Sequence, residues 1–320
     1  MNETVARYKR TMLRIGATLI LWITLFFGLA LLAELVATAI GRSLDPRGAE
    51  VLSSLLSAAA YLAAFTLAAV FYHILDRQKY DCPFRFTPSL PKNTFVIIFA
   101  GVACTFAMSF FNSIAVSLMG ISTGIEIFSY PTEYSSDMSI ILQVISIGLV
   151  PAFCEELLFR GVVLSNLMPY GKASAIVISS VLFGLMHGNL YQFVYTTVAG
   201  LIMGSVYVLT ESLWCSIVMH MINNTLSILQ VAISDRFSEE HGTVLIMIFY
   251  CLILFIGTLC IFRLVTKKIP EGGDASSQIA GLTFSGEISL RDTVRGFFAP
   301  TMIIFVVISW IEGFLSVMLS

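Results

Sequence analysis

Long apolar stretches alternate with short polar segments along the whole chain, and this pattern predicts a bundle of transmembrane helices. A helix needs roughly 20 mainly apolar residues to cross the hydrocarbon core of a bilayer. Stretches that approach or exceed this length run over residues 15–40, 51–75, 93–119, 138–167, 172–187, 191–209, 213–232, 243–265 and 297–319. The fold class that follows is all-α, a polytopic transmembrane helical bundle. The last stretch is the least regular, because it contains Pro300 and Glu312, and a re-entrant segment is an alternative there.

The composition of the chain supports a membrane protein. Hydrophobic residues make up 57% of the 320 residues and charged residues only 12%, which is far from a soluble composition. The chain has no basic domain, so a nucleic-acid partner is not expected. Its six cysteines form no CxxC pair, which argues against a disulfide framework or a cysteine metal site. The expected partners are the lipid bilayer and a substrate met at the membrane.

The distribution of Lys and Arg predicts the orientation of the chain. With nine spans and the N-terminus inside, 14 of the 18 basic residues fall on the inner side, and only Arg42, Arg47 and Arg236 fall outside. This asymmetry agrees with the positive-inside rule. A secretory signal would have an apolar region of only about 7–15 residues, so the first stretch is expected to remain as a helix. We therefore predict a multi-pass protein of the cell membrane with a cytoplasmic N-terminus and an external loop over 120–137.

The fourth apolar stretch contains the segment PAFCEELLFRG, which places three ionisable side chains close together. Each costs roughly 2.5–3.5 kcal/mol at bilayer depth, so their presence requires a reason. Arg160 follows Glu156 by four residues and lies on the same helix face, where the two can pair. Glu155 has no such partner in the segment and is predicted to be free for chemistry. Pro151 removes a backbone N–H and is expected to kink the helix.

Two further pairs lie in apolar sequence, each with a spacing of four residues that puts both side chains on one helix face. Phe183 and His187 end the fifth stretch, and His220 and Asn224 lie within the seventh. Taken singly, a membrane histidine or asparagine is often a hydrogen-bonding contact between helices, and Phe183 is most simply a packing residue. An acid–arginine pair can also be purely structural. Together, on three stretches in one half of the chain, these patterns favour a functional site.

The residue types allow two kinds of hydrolytic site. A carboxylate and a histidine that share a water can remove its proton, so that the water attacks a carbonyl. A second histidine and an asparagine could then stabilise the oxyanion. Alternatively, Glu155, His187 and His220 could supply the three protein ligands of a catalytic zinc ion. The zincin signature HExxH is absent, and the sequence does not choose between the two sites.

Three motifs in the chain identify a family. EELLFR, FGLMH and HMINN match EExxxR, FxxxH and HxxxN in that order, and the sequence over about 150–225 resembles the CPBP family of intramembrane proteases. This family includes the type II CAAX prenyl endopeptidases and bacteriocin-processing proteins. The resemblance implies an eight-helix membrane core, to which the ninth stretch is an addition, and cleavage of peptide bonds within the membrane. It leaves metal dependence open, with Zn²⁺ as the candidate cofactor.

The resemblance also implies roles for six residues. These residues are Glu155, Glu156, Arg160, His187, His220 and Asn224. In the implied site, Glu155 and His187 activate the water, while His220 and Asn224 form the oxyanion hole. The other two are the second acid and the basic residue of the first motif.

The chain divides, on this interpretation, into three parts. The first two spans and a cytoplasmic loop occupy 1–92, a protease core with catalytic spans four, five and seven occupies 93–268, and a linker with the C-terminal span occupies 269–320. The expected function is that of an intramembrane endopeptidase acting on a membrane-associated peptide or protein. Two alternatives stay open, namely a transporter or proton pathway built from the same side chains and a catalytically silent immunity or scaffold protein.

Overall fold

The structure is a computed structural model that describes residues 3–76, 93–123, 137–266 and 288–318. Within these ranges it is largely helical and contains no strand, which confirms the all-α prediction. The helices are α1 (Glu3–Gly41), α2 (Pro46–Leu75), α3 (Thr94–Thr123), α4 (Asp137–Gln143), α5 (Val150–Glu156), α6 (Ser165–Leu167), α7 (Lys172–Met186), α8 (Leu190–Thr210), α9 (Leu213–Arg236), α10 (Glu239–Thr266), α11 (Leu290–Phe297) and α12 (Pro300–Met318). The predicted cytoplasmic loop at 77–92, most of the external loop (124–136) and the linker up to residue 287 lie outside the described residues.

The described helices make the chain a multi-pass membrane protein. Seven segments in these ranges are long and apolar enough to cross a membrane, and α11 with α12 forms an eighth candidate that is bent by 62°. The remaining predicted span corresponds to α7, which has 15 residues. At about 1.5 Å per residue it measures about 22 Å, less than the roughly 30 Å of a hydrocarbon core. The nine predicted spans are therefore seven full-length segments, one bent pair and one short helix.

The segment that contains the two adjacent glutamates alternates between α-helical and wider turns. Two π-helical stretches (Val144–Leu149 and Leu157–Leu164) flank α5, and a 3₁₀ turn (Met168–Tyr170) ends the segment. Pro151, where the sequence predicts a kink, lies in the first turn of α5. The irregularity in the helix at this point is the π-helical stretch that precedes α5. π-Helical stretches are rare in proteins overall, and those that do occur often lie at functional sites. The segment buries all three of its ionisable side chains, with exposed fractions of 0 to 4%.

The C-terminal helices pack closely on α1. The hydroxyl of Tyr8 donates to the carbonyl of Thr293 at 3.0 Å, and the hydroxyl of Thr301 donates to the carbonyl of Leu13 at 3.0 Å. Gly16 allows the backbones to approach, because a Cβ atom there would lie 2.8 Å from the amide nitrogen of Met302. The two ends of the chain are therefore held against each other.

A single buried cluster joins the three predicted parts of the chain. It contains Tyr8 and Phe65 from the first part, Leu158 and Leu182 from the second and Met302 from the third. The division at residues 92 and 268 stays a prediction, but the apolar core runs across both positions. Helix α10 lies largely outside this core. Only 6% of its most apolar 18-residue stretch is buried, as expected of a helix covered by lipid.

Candidate active site

The carboxylate of Glu156 is the centre of a buried polar network. Its Oε1 atom accepts hydrogen bonds from Nη1 of Arg160 at 2.7 Å and from Nδ1 of His220 at 3.0 Å. Arg160 also donates through Nη2 to the carbonyl of Gly200 at 3.1 Å. The Glu156 and Arg160 side chains are 0 and 1% exposed, so the pair predicted from their spacing forms in the interior. Burial of a single ion costs several kcal/mol, and opposite charges in contact offset that penalty.

His220 links the two adjacent glutamates. A carboxylate only accepts hydrogen bonds, so Nδ1 of His220 is the donor to Glu156, and the neutral ring keeps its lone pair on Nε2. That Nε2 lies 3.8 Å from Oε2 of Glu155. His220 therefore has one nitrogen fixed by Glu156 and the other beside Glu155. It donates from both nitrogens only when it is protonated, and Glu156 is then its counter-ion.

His187 lies at the C-terminal end of α7, where the helix stops. Its Nδ1 atom is 2.8 Å from the carbonyl of Phe183, which accepts a hydrogen bond and leaves the lone pair of the neutral ring on Nε2. Gly188 follows with a φ of +53°, in the left-handed region that glycine adopts most readily. Its amide donates to the carbonyl of Leu185 at 3.2 Å. This turn ends α7 and holds the His187 ring against the preceding turn.

The ring of Phe183 lies among the polar residues of the site. Its centroid is 5.0 Å from that of His187 and 5.8 Å from that of His220, with both rings edge-on. The guanidinium carbon of Arg160 lies 4.5 Å from the same centroid, within the range of a cation–π contact. Phe183 is a packing residue, as predicted, and the side chains that it packs against are those of His187, His220 and Arg160.

Glu155 lies at the boundary between this network and a cavity. Its Oε1 accepts a hydrogen bond of 2.5 Å from the hydroxyl of Tyr61 on α2. Its Oε2 is buried and has no hydrogen-bond partner among the described residues. Glu155, Tyr61 and His187 line a cavity of about 540 Å³, which is large enough for water and part of a substrate. Glu155 and His187 therefore line the same cavity.

Asn224 makes its contact elsewhere. Its Nδ2 atom donates to the carbonyl of Ile147, in the first π-helical stretch, at 3.0 Å, and it is not among the described residues that line the cavity. The amide keeps a second N–H. The neighbouring Asn223 is buried and donates to the hydroxyl of Tyr195 at 2.8 Å. The structure thus brings the other five predicted residues together and leaves Asn224 bonded to Ile147, which is not among the described residues that line the cavity.

The donor atoms of the site are those that a zinc ion prefers. Nδ1 has an acceptor in both His187 and His220, which leaves both Nε2 atoms able to bind a metal, and Oε2 of Glu155 has no hydrogen bond within the described part of the chain. Within the described ranges, however, no three His, Cys, Asp or Glu side chains stand close enough together to hold an ion. The residue types fit a metal, and its use stays a prediction.

Sequence reasoning missed Tyr61 and left Glu312 without a role. Tyr61 lies in a run of alanine and leucine with no polar neighbour to mark it, so only the packing of α2 on α5 shows its contact with Glu155. Glu312 attracted notice as an irregularity of the last span, and the structure places it at the same cavity.

Comparisons with known proteins agree with the motifs. Residues 137–226, which include all six predicted site residues, match the family model of the Rce1-like type II CAAX prenyl endopeptidases. A Bacillus subtilis (strain 168) protein named "Putative membrane peptidase YdiL" is 29% identical over 143 residues. The alignment covers 41% of this chain and 58% of that relative. No solved structure matches the chain. The resemblance to the CPBP family of intramembrane proteases, predicted from the three motifs, is thereby confirmed.

Proposed function

We propose that the protein is a membrane-embedded endopeptidase that hydrolyses a peptide bond of a membrane-associated peptide or protein. The observation that carries the proposal is the cavity shared by Glu155 and His187. Oε2 of Glu155 is buried and has no hydrogen bond to any residue that the structure describes, and Nε2 of neutral His187 bears a lone pair, so each can accept a proton from a water in the cavity. The matched family model and the relative's name support this class of activity.

The proposed reaction begins with removal of a proton from water by Glu155 and His187. The water oxygen forms a bond to the carbonyl carbon of the peptide, and the carbonyl oxygen becomes an oxyanion. His220, protonated and held by Glu156, donates to that oxyanion. Asn224 would have to turn from the Ile147 carbonyl towards the cavity to add a second donor. The proton then passes to the leaving nitrogen, the C–N bond breaks, and a carboxylate and an amine are released.

A bound zinc ion would be held by Oε2 of Glu155 and the Nε2 atoms of His187 and His220 only after these side chains move closer together than they stand in the described structure. Such an ion lowers the pKa of its water and polarises the carbonyl. The Glu156–His220 hydrogen bond orients the second histidine whether or not a metal is bound. The Arg160 guanidinium in turn pairs with the Glu156 carboxylate and holds it within hydrogen-bonding distance of His220.

The experiment that tests this function uses the purified full chain in detergent micelles with a mixture of peptides from digested membrane proteins. New peptide termini are identified by mass spectrometry for the wild type and for Glu155→Gln, each with and without 1,10-phenanthroline. We expect new termini from the wild type only. Activity that survives the chelator supports the carboxylate–histidine site, and activity lost to chelator and restored by Zn²⁺ supports the metal site. A wild type that produces no new termini contradicts the proposal.

A further inference from the structure

Glu312 is a carboxylate that the proposed reaction does not use. It is the only ionisable residue of α12, and it lies outside the region that matches the family model. Ionisable side chains within membrane helices are costly and generally mark a functional position. Glu312 is half-buried, and no hydrogen bond or ion pair joins its carboxylate to another residue in the part of the chain that the structure describes.

The position of Glu312 relates it directly to the candidate site. Its side chain lines the same 540 Å³ cavity as Glu155 and His187. One carboxylate oxygen lies 3.2 Å from the point that a Cβ atom on Gly188 would occupy. Gly188 immediately follows His187, so α12 brings a second carboxyl group to the edge of the space where a substrate would react.

Aromatic side chains also line this cavity. Trp22 and Phe26 on α1 and Tyr61 on α2 line it, with ring centroids 5.6 Å apart for Trp22 and Phe26 and 5.8 Å apart for Phe26 and Tyr61. Aromatic rings attract ammonium and guanidinium groups, and an unpaired carboxylate attracts them more strongly. The combination of aromatic rings and one carboxylate is suited to a cation with an apolar stem, such as a Lys or Arg side chain.

We propose that Glu312 binds a Lys or Arg side chain of the peptide substrate, close to the bond that is cleaved. The close packing of α12 on α1, which places Gly16 against Thr301 and Met302, holds the helix that carries Glu312. The C-terminal helix is then a specificity element added to the catalytic core. The substrate assignment rests on the proposed endopeptidase function, but the cation site itself can be measured by binding alone.

The test compares the binding of two short peptides to the full-length protein in detergent. The probes are acetyl-Phe-Lys-Leu-amide and acetyl-Phe-norleucine-Leu-amide, which differ by the ammonium group, and affinity is measured by isothermal titration calorimetry. The wild type is expected to bind the lysine peptide about ten-fold or more tightly than the norleucine peptide, and in Glu312→Gln this ratio falls to about one. Glu34→Gln, which removes an exposed carboxylate on α1, is the matched control and keeps the wild-type ratio.

Charge reversal provides a second arm. In Glu312→Lys the preference inverts, so that acetyl-Phe-Glu-Leu-amide binds more tightly than the lysine peptide. The cation site is overturned if the ratio of lysine-peptide to norleucine-peptide affinity is the same in the wild type and in Glu312→Gln. Thermal unfolding must show that both proteins are folded. Charge-dependent binding without any hydrolysis leaves the cation site in place and refutes the endopeptidase instead. Hydrolysis without a charge preference in binding supports the endopeptidase and overturns the cation site.

Discussion

Tyr61 donates a hydrogen bond to Oε1 of Glu155 from a helix 94 positions earlier in the chain. The contact fixes one carboxylate oxygen and leaves the other, Oε2, without a hydrogen-bond partner among the described residues. A general base needs this kind of fixed orientation, because proton transfer requires a heavy-atom separation of about 2.6–3.2 Å from the water. The candidate site therefore depends on α2 as well as on the region that matches the family.

Removal of the Tyr61 hydroxyl is expected to reduce activity without unfolding the protein. A hydrogen bond to a charged group contributes about 1.5–3 kcal/mol, so Tyr61→Phe should lower kcat by about 10- to 100-fold. Tyr72→Phe is the matched control, since Tyr72 lies on the same helix but does not line the cavity. Peptide hydrolysis by the purified variants measures both effects. Full activity in Tyr61→Phe would show that the contact does not orient Glu155.

Glu155→Gln and Glu156→Gln should have different effects on the stability of the protein. Glu156→Gln leaves the buried Arg160 without its counter-ion, and removal of one partner of a buried pair costs about 3–5 kcal/mol. Glu155→Gln retains an oxygen for Tyr61 and should unfold at the wild-type temperature. Thermal unfolding in detergent measures the difference.

A second substitution provides the control for this interpretation. In Glu156→Gln combined with Arg160→Met, the uncompensated charge is gone, and we expect part of the lost stability to return. If Glu156→Gln and Glu155→Gln unfold at the same temperature, the structural role of the Glu156–Arg160 pair is wrong.

The contact between α1 and α12 can be tested with two glycines of one helix. A Cβ atom on Gly16 would overlap Thr301 and lie 2.8 Å from the backbone of Met302, whereas one on Gly28 has nothing within 4 Å. Gly16→Ala should therefore destabilise the protein, and Gly28→Ala should stabilise it by about 0.5–1 kcal/mol through helix propensity. Thermal unfolding measures both variants. Equal behaviour of the two would argue against the close packing of the C-terminal helix.

The orientation in the membrane remains a prediction from charge. The structure adds that Arg14, near the start of α1, pairs with Asp76 at the end of α2, which places these two ends on one side. In a cysteine-free background, a membrane-impermeant maleimide added to intact cells should label Ser135→Cys and not Ser89→Cys. Both positions lie outside the described residues. Labelling of Ser89→Cys alone would invert the proposed topology.

Local spacing predicted those features of the site that lie on one helix. The four-residue interval between Glu156 and Arg160 was sufficient to predict their pair, because neighbouring turns of a helix place such residues together. The apolar stretches likewise predicted the helices, since a bilayer requires a minimum apolar length.

Contacts between distant helices could not be predicted in this way. The hydrogen bond of His220 to Glu156 and that of Tyr61 to Glu155 depend on how α9 and α2 pack against α5. The same limit applies to Asn224, whose spacing from His220 predicted a shared face but not its bond to the carbonyl of Ile147. Packing geometry, which carries no periodic signal, decides these partners.

Turnover by the single and double variants of Glu155 and His187 tests the central claim most directly. If the two residues activate one water, Glu155→Gln and His187→Asn should each lower kcat by about 10²- to 10⁴-fold. The double variant should then be hardly slower than either single variant, because residues that act as a unit are not additive. All three proteins should remain folded by thermal unfolding. Wild-type turnover in either single variant, or a double variant whose loss is the product of the two single losses, would contradict the account.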